Sequence, residues 1–249
     1  MEKDLRSYKI HNVDYETEKD FYSKEAIISR TEKTKDFERT GFGVALALTK
    51  NLPKKHIDIG SGVGWLIRKM LPYFDTSVGI EPSTAAIASA KNLLDGSPSV
   101  TFLKCDMIYG LNQLKLTEPA FFTTGAVFSH IENYYVEAFL KLLNQAPMGS
   151  VLYFSENYDR NIDWNMWHIR NKEWWRRNLS NWQIIFFDLD IEGYSSGIYG
   201  IKLENRDLLP AHKRTLLWRI FWRYDGVVNI VFRIIKKIKR ALSFGKKSS

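Results

Sequence analysis

The chain is poor in the features that would place it in several common classes. It has one cysteine, Cys105, in 249 residues, which excludes an internal disulfide framework and fits a reducing compartment. No stretch reaches the roughly 18 uncharged apolar residues that a bilayer-crossing helix requires. No apolar run follows Met1-Glu2-Lys3-Asp4, so no signal peptide is expected either. Internal repeats, low-complexity tracts, His-x-x-x-His pairs and cysteine clusters are all missing, and no metal site is expected. The cationic excess is concentrated in one region. Residues 213–249 hold eleven Lys or Arg against a single acid, Asp225, a local charge of +10; the remaining 25 cations and 27 acids leave the rest at −2. The excess positive charge therefore belongs to the tail, which disfavours nucleic acid as the partner of the main domain, where basic residues would be spread over its own face.

With 45% hydrophobic residues, the chain can bury one α/β domain plus an appendage. The most telling stretch is His56-Ile57-Asp58-Ile59-Gly60-Ser61-Gly62-Val63-Gly64-Trp65. An apolar strand closes on an acid, meets glycine at every second position, and enters a helix near Leu66. Bare backbone at such a bend lets an extended ligand lie directly against the chain. A dinucleotide fingerprint would need its third glycine at position 65, where Trp65 stands. Downstream, Asp75 to Pro82 reads as a second strand ending in Glu81, with Ser83 starting a helix. A carboxylate about 20 residues past the glycine turn is placed to accept both hydroxyls of a ribose. Val100 to Met107 is a further apolar strand closing on Asp106. The next runs from Phe121 to Phe128 into Ser129-His130, followed by a helix over 133–144 and a strand over 150–155. Later strands are expected near Gln183–Leu189 and Ile198–Leu203.

This ordered set resembles the class I S-adenosylmethionine-dependent methyltransferases over about residues 54–157, with weaker agreement to about 204. The resemblance implies a Rossmann-like fold, with a mainly parallel seven-stranded sheet flanked by helices, and S-adenosyl-L-methionine as cofactor. It implies cofactor contacts at Asp58, Gly60, Ser61, Gly62, Gly64, Trp65, Glu81 and Pro82. Asp106 is expected to face the adenine amino group, with Met107 and Ser129 beside the same ligand. Trp65 either stacks on the cofactor or belongs to the core of the first helix. The division expected is an N-terminal cap or lid over 1–50, the cofactor-binding domain over 51–205, and a basic amphipathic tail over 206–249.

His130 stands at the carboxyl end of the fourth strand, on the edge where open α/β folds hold ligands. An imidazole there suits a base near neutral pH and is the candidate for removing a proton from an acceptor hydroxyl. Glu156 and Asn157, past the fifth strand, either line the same mouth or serve the structure. Trp164, Trp167, Trp174, Trp175 and Trp182, interleaved with His168, Arg170, Arg176 and Arg177, suit a sugar ring or lipid headgroup, or else form the core of a helix over the sheet. Taken as a helix, Val227 to Leu242 gathers Asn229, Arg233, Lys236, Lys237 and Arg240 opposite Val227, Val231, Ile234, Ile238, Ala241 and Leu242. That is the make-up of a helix lying in a membrane interface. The expected activity is O-methylation of a sugar of a lipid-linked or surface polysaccharide. It would take place at the cytoplasmic face of a membrane, to whose anionic surface residues 213–249 would bind. A lipid, quinone or RNA acceptor, or a non-catalytic cofactor-binding module, stays open as an alternative.

Overall fold

A computed structural model describes residues 41–49, 51–156, 168–188 and 196–202. The tail, most of the N-terminal segment, Asn157, Trp164 and Trp167 lie outside the described residues. Seven strands form one sheet: β1 Lys55–Ile59, β2 Thr76–Ile80, β3 Val100–Leu103, β4 Ala120–Gly125, β5 Val151–Ser155, β6 Trp182–Asp188 and β7 Ser196–Lys202. Their spatial order is β3-β2-β1-β4-β5-β7-β6. The first five run parallel, while β7 is antiparallel to both β5 and β6. The helices are α1 Gly41–Leu48, α2 Trp65–Met70, α3 Thr84–Leu93, α4 Met107–Leu114, α5 Asn133–Leu143 and α6 Lys172–Asn178. The mainly parallel seven-stranded sheet is the one expected.

Strand alternation divides the interior into two cores. On one face Ile57, Ile59, Phe122, Leu152, Phe154 and Ile198 pack with α4, α5 and α6. On the other, Phe121, Val151, Tyr153 and Tyr199 pack with Phe42 and Leu46 of α1 and with Leu66 and Met70 of α2. The central strands are buried on both faces, so they read as near-continuous apolar runs. Helix starts are fixed locally. Ser83 caps α3 by accepting from Ala86 N at 3.2 Å, and Asn171 caps α6 by accepting from Trp174 N at 2.8 Å.

One boundary differs in a way that matters for the site. The strand expected to reach Phe128 stops at Gly125. Ala126 turns with φ 58°, and Phe128–His130 form a 3-10 turn. Phe128 kept the apolar pattern going because it is a core residue, ringed by Phe139, Phe154 and Trp175 at centroid distances of 5.1–5.8 Å. It reaches that core from a turn. The register places the carboxyl ends of β1, β2 and β4 side by side, with Asp58 opposite Gly79 on one side and Thr123 on the other.

Candidate cofactor and active site

All three glycines of the bend adopt left-handed backbone, with φ of 67° at Gly60, 51° at Gly62 and 76° at Gly64. A side chain would be strained at each. At Gly60 it would also have no room: a Cβ there would sit 2.5 Å from Val127 Cγ2. The bend is tied to β2 through Gly60 N and Ser61 N, both donating to the Ile80 carbonyl at 2.8 and 3.2 Å. Ser61 is buried with a hydroxyl that finds no partner among the described residues.

Glu81 follows β2 directly and is buried at 5% exposure. Its Oε2 accepts from Gly62 N at 2.9 Å, and its Oε1 from Ser83 N at 2.9 Å. The carboxylate thus reaches across to the glycine bend from 19 residues away. Pro82 beside it is exposed.

Asp58 lies directly before the bend and is 2% exposed. Its Oδ1 accepts from Thr123 Oγ1 at 2.8 Å, and Thr123 Oγ1 is in turn 2.8 Å from His56 Nε2. With Asp58 ionised, the threonine gives it its one proton, and His56 then donates from Nε2 to the threonine. Burial pushes Asp58 up to about 7; the Thr123 bond opposes this and the Glu81 charge adds to it. Burial also drives His56 down to about 3, so the imidazole is neutral. Neither His56 nor Thr123 was among the candidates, although His56 lies two residues before Asp58 and so on the same strand face. The cross-strand partner at 123 becomes visible only through the register.

Asp106 caps α4, its Oδ1 accepting from Ile108 N and Tyr109 N at 2.9 Å each. One oxygen is committed to the helix start, and Oδ2 takes no hydrogen bond among the described residues. Met107, next to it, is a core residue at 5% exposure. Trp65 opens α2, half-buried and set edge-on to Phe42 at 6.2 Å and 88°, so it packs with the core beside α1.

Ser129 and His130 ride on the turn after β4, and this turn is held from both sides. Glu156, 3% exposed, accepts from Phe128 N at 2.9 Å and Ser129 N at 3.2 Å. Arg170, 4% exposed, donates from Nη1 to the carbonyls of Phe128 at 2.7 Å and His168 at 3.1 Å, and from Nη2 to that of Ile131 at 2.5 Å. His168 N donates to the Ser129 carbonyl at 2.7 Å. Burial raises Glu156 to about 7, against the pull of those N–H donors and of Arg170, and lowers Arg170 to about 10. Glu156 is thus a structural acid, the second of its two readings. Arg170 belongs with it, and no sequence pattern marked it as such. His130 keeps an exposed surface, while partial desolvation of its ring lowers its pKa. The described tryptophans of this region are mainly core: Trp175 and Trp182 are 1–2% exposed, and Trp174 is half-buried under the Arg170 guanidinium at 5.0 Å. Among the described residues no cluster of three or more His, Cys, Asp or Glu could hold a metal.

No protein-family model matches the chain, and no curated protein does. Solved structures do. An amino pentose methyltransferase from Micromonospora echinaspora involved in calicheamicin biosynthesis, solved with S-adenosylmethionine bound, matches 73% of this chain and 98% of its own. The TM-score is 0.59 and the identity 13%. The N-methyltransferase NodS from Bradyrhizobium japonicum covers 69% of this chain and 99% of its own, with a TM-score of 0.53 and 15% identity. Magnesium protoporphyrin IX methyltransferase from Synechocystis, also with the cofactor bound, covers 77% and 92% with a TM-score of 0.53 and 16% identity. The fold is that of the class I S-adenosylmethionine-dependent methyltransferases.

Proposed function

We propose that this chain is a methyltransferase that binds S-adenosyl-L-methionine across the Gly60–Gly64 bend. The single observation that carries the reading is the Glu81 carboxylate, held at the bend by Gly62 N. A buried acid beside bare left-handed backbone fits a nucleoside whose ribose hydroxyls donate to that acid. Asp58, Ser61 and Trp65 flank the bend, and Pro82, Asp106, Met107 and Ser129 complete the carboxyl edge of the sheet. When bound, the cofactor supplies a methyl group on a sulfonium, open to in-line attack. The protein's part is alignment and proton removal. His130, on a turn clamped by Glu156 and Arg170, would take the proton of an acceptor hydroxyl, and desolvation of its ring lowers its pKa and so favours the neutral, proton-accepting form.

The acceptor we favour is a hydroxyl of a lipid-linked or surface-polysaccharide sugar, at a membrane face reached through the basic amphipathic sequence of 213–249. The tail's composition supports the membrane part. The fold shared with an amino pentose methyltransferase supports a sugar acceptor. No helix among the described residues is long and apolar enough to cross a membrane.

Titration calorimetry with S-adenosylmethionine tests the core of the reading. The chain is expected to bind, and Glu81→Ala to bind at least about a hundredfold more weakly. Two hydrogen bonds to a charged acceptor, at about 1.5–3 kcal/mol each, are lost. Equal affinity of the two would remove Glu81 and the proposed ligand pose together.

A further inference from the structure

Asp58 is built into a chain of three buried side chains that the general requirements of a glycine bend do not explain. His56, at 0% exposure, passes a hydrogen bond through Thr123, at 0%, to Asp58 Oδ1, with both links at 2.8 Å. The other end of the chain is closed. His56 Nδ1 has no partner, and its ring is stacked against Phe74 at 5.2 Å. The open end is Asp58 Oδ2, which takes no hydrogen bond among the described residues and lies at the start of the bend. A carboxyl that is nearly all buried, with one oxygen fixed and the other unclaimed, is suited to a cationic partner arriving from the bend.

We propose that His56 and Thr123 are positioning residues that hold the Asp58 carboxyl for the cationic end of the cofactor, so that binding expels a proton from Asp58. This rests on the cofactor reading above. The surrounding groups leave few rivals for that proton. α1 contains no titratable residue. The charged residues of α2 are Arg68, which is exposed, and Lys69. Tyr153 of β5 is buried and its hydroxyl is pushed up by burial, hence neutral. The interactions that act on Asp58 are the Thr123 hydrogen bond and the Glu81 charge. Thr123 favours the ionised carboxylate, whereas burial and Glu81 favour the protonated form, so near neutral pH the site holds a mixture of the two. A positive charge brought to Oδ2 tips it to carboxylate, and the proton leaves to buffer. The sign follows: the ligand binds the deprotonated form, so affinity rises with pH up to about 7 and falls again above about 8, where the α-amino group of the cofactor loses its own charge.

The test is calorimetry with S-adenosylmethionine on the full chain, in buffers of different ionisation enthalpy, from pH 6 to 8. At pH 6 most of one proton is expected to leave per cofactor bound, and affinity is expected to be several-fold weaker than at pH 7. Thr123→Val removes the hydrogen bond that favours the carboxylate and should move the rise in affinity upward, toward pH 8. Thr123→Ser, which keeps the hydroxyl, should restore the wild-type profile. A residue serving packing alone would not produce that split. Heat independent of buffer at pH 6, with binding intact, overturns the inference while leaving the cofactor reading standing. So does a Thr123→Val profile that coincides with that of the parent. Failure of the wild-type chain to bind at any pH overturns both.

Discussion

Substitution of the bend glycines by alanine separates the cost of backbone conformation from the cost of crowding, because the fold supplies matched controls. Gly96 has φ 60° with nothing within 4 Å of a Cβ, so Gly96→Ala measures left-handed strain alone. That strain is about 1–2 kcal/mol, offset by about 0.4–1 kcal/mol from the stiffer unfolded chain. A net loss of about 0.5–1 kcal/mol is expected. Gly125 is not in the left-handed region and is equally open, so Gly125→Ala should be neutral or slightly stabilising. Gly60 combines φ 67° with a Cβ position 2.5 Å from Val127 Cγ2. The turn held by Glu156 and Arg170 fixes the backbone after Val127, so relief requires its β-branched side chain to leave its preferred rotamer. Crowding of this kind adds about 1–3 kcal/mol, giving about 2–4 kcal/mol in all. For a chain of this length thermal unfolding should shift by about 2–4 °C per kcal/mol. Gly60→Ala is therefore expected to melt about 4–15 °C below the parent, and Gly96→Ala within about 4 °C. Scanning fluorimetry of the three variants reads the difference directly. If Gly60→Ala melts with Gly96→Ala, the bend is not packed against Val127, and the coupling between the cofactor bend and the His130 turn is refuted.

Two further outcomes follow from the same geometry and from the tail. Arg170→Lys replaces a planar fork serving three carbonyls with a point charge that cannot span them. It should cost about 2–4 kcal/mol and lower the melting temperature by about 4–15 °C, while S-adenosylmethionine affinity changes less than about threefold. An unaltered melting curve would show that the turn needs no clamp. Co-sedimentation with vesicles containing anionic lipid should retain the full chain and release a form ending at Pro210, with salt weakening the retention. Equal behaviour of the two forms would remove the membrane from the proposal.

The residues that form the bend could be found in sequence because each requirement is local. Left-handed backbone demands glycine, so Gly60, Gly62 and Gly64 announce themselves. Strands that end at the sheet's carboxyl edge show an apolar run closing on Asp58, Glu81 or Asp106. The buried central strands gave the parallel sheet for the same reason, since burial on both faces leaves no polar alternation. Phe128 misled because its apolar character serves the core equally well from a strand or from a 3-10 turn, and sequence periodicity does not separate the two.

What only tertiary structure decided is which groups meet across strands and loops. Thr123 is one threonine among several until the register sets it opposite Asp58, and only then does His56 become the far end of a hydrogen-bonded chain. Glu156 and Arg170 look like surface charges in the sequence. Folding buries both and commits them to the backbone of the turn that carries His130, because the turn's N–H and C=O groups, buried away from water, must find partners. The sequence by itself determined where the bare left-handed bend and the acids that follow the strands lie. The assembled fold determined what holds the acids and the imidazole around it, because those contacts join residues 28 to 67 positions apart that no local pattern couples.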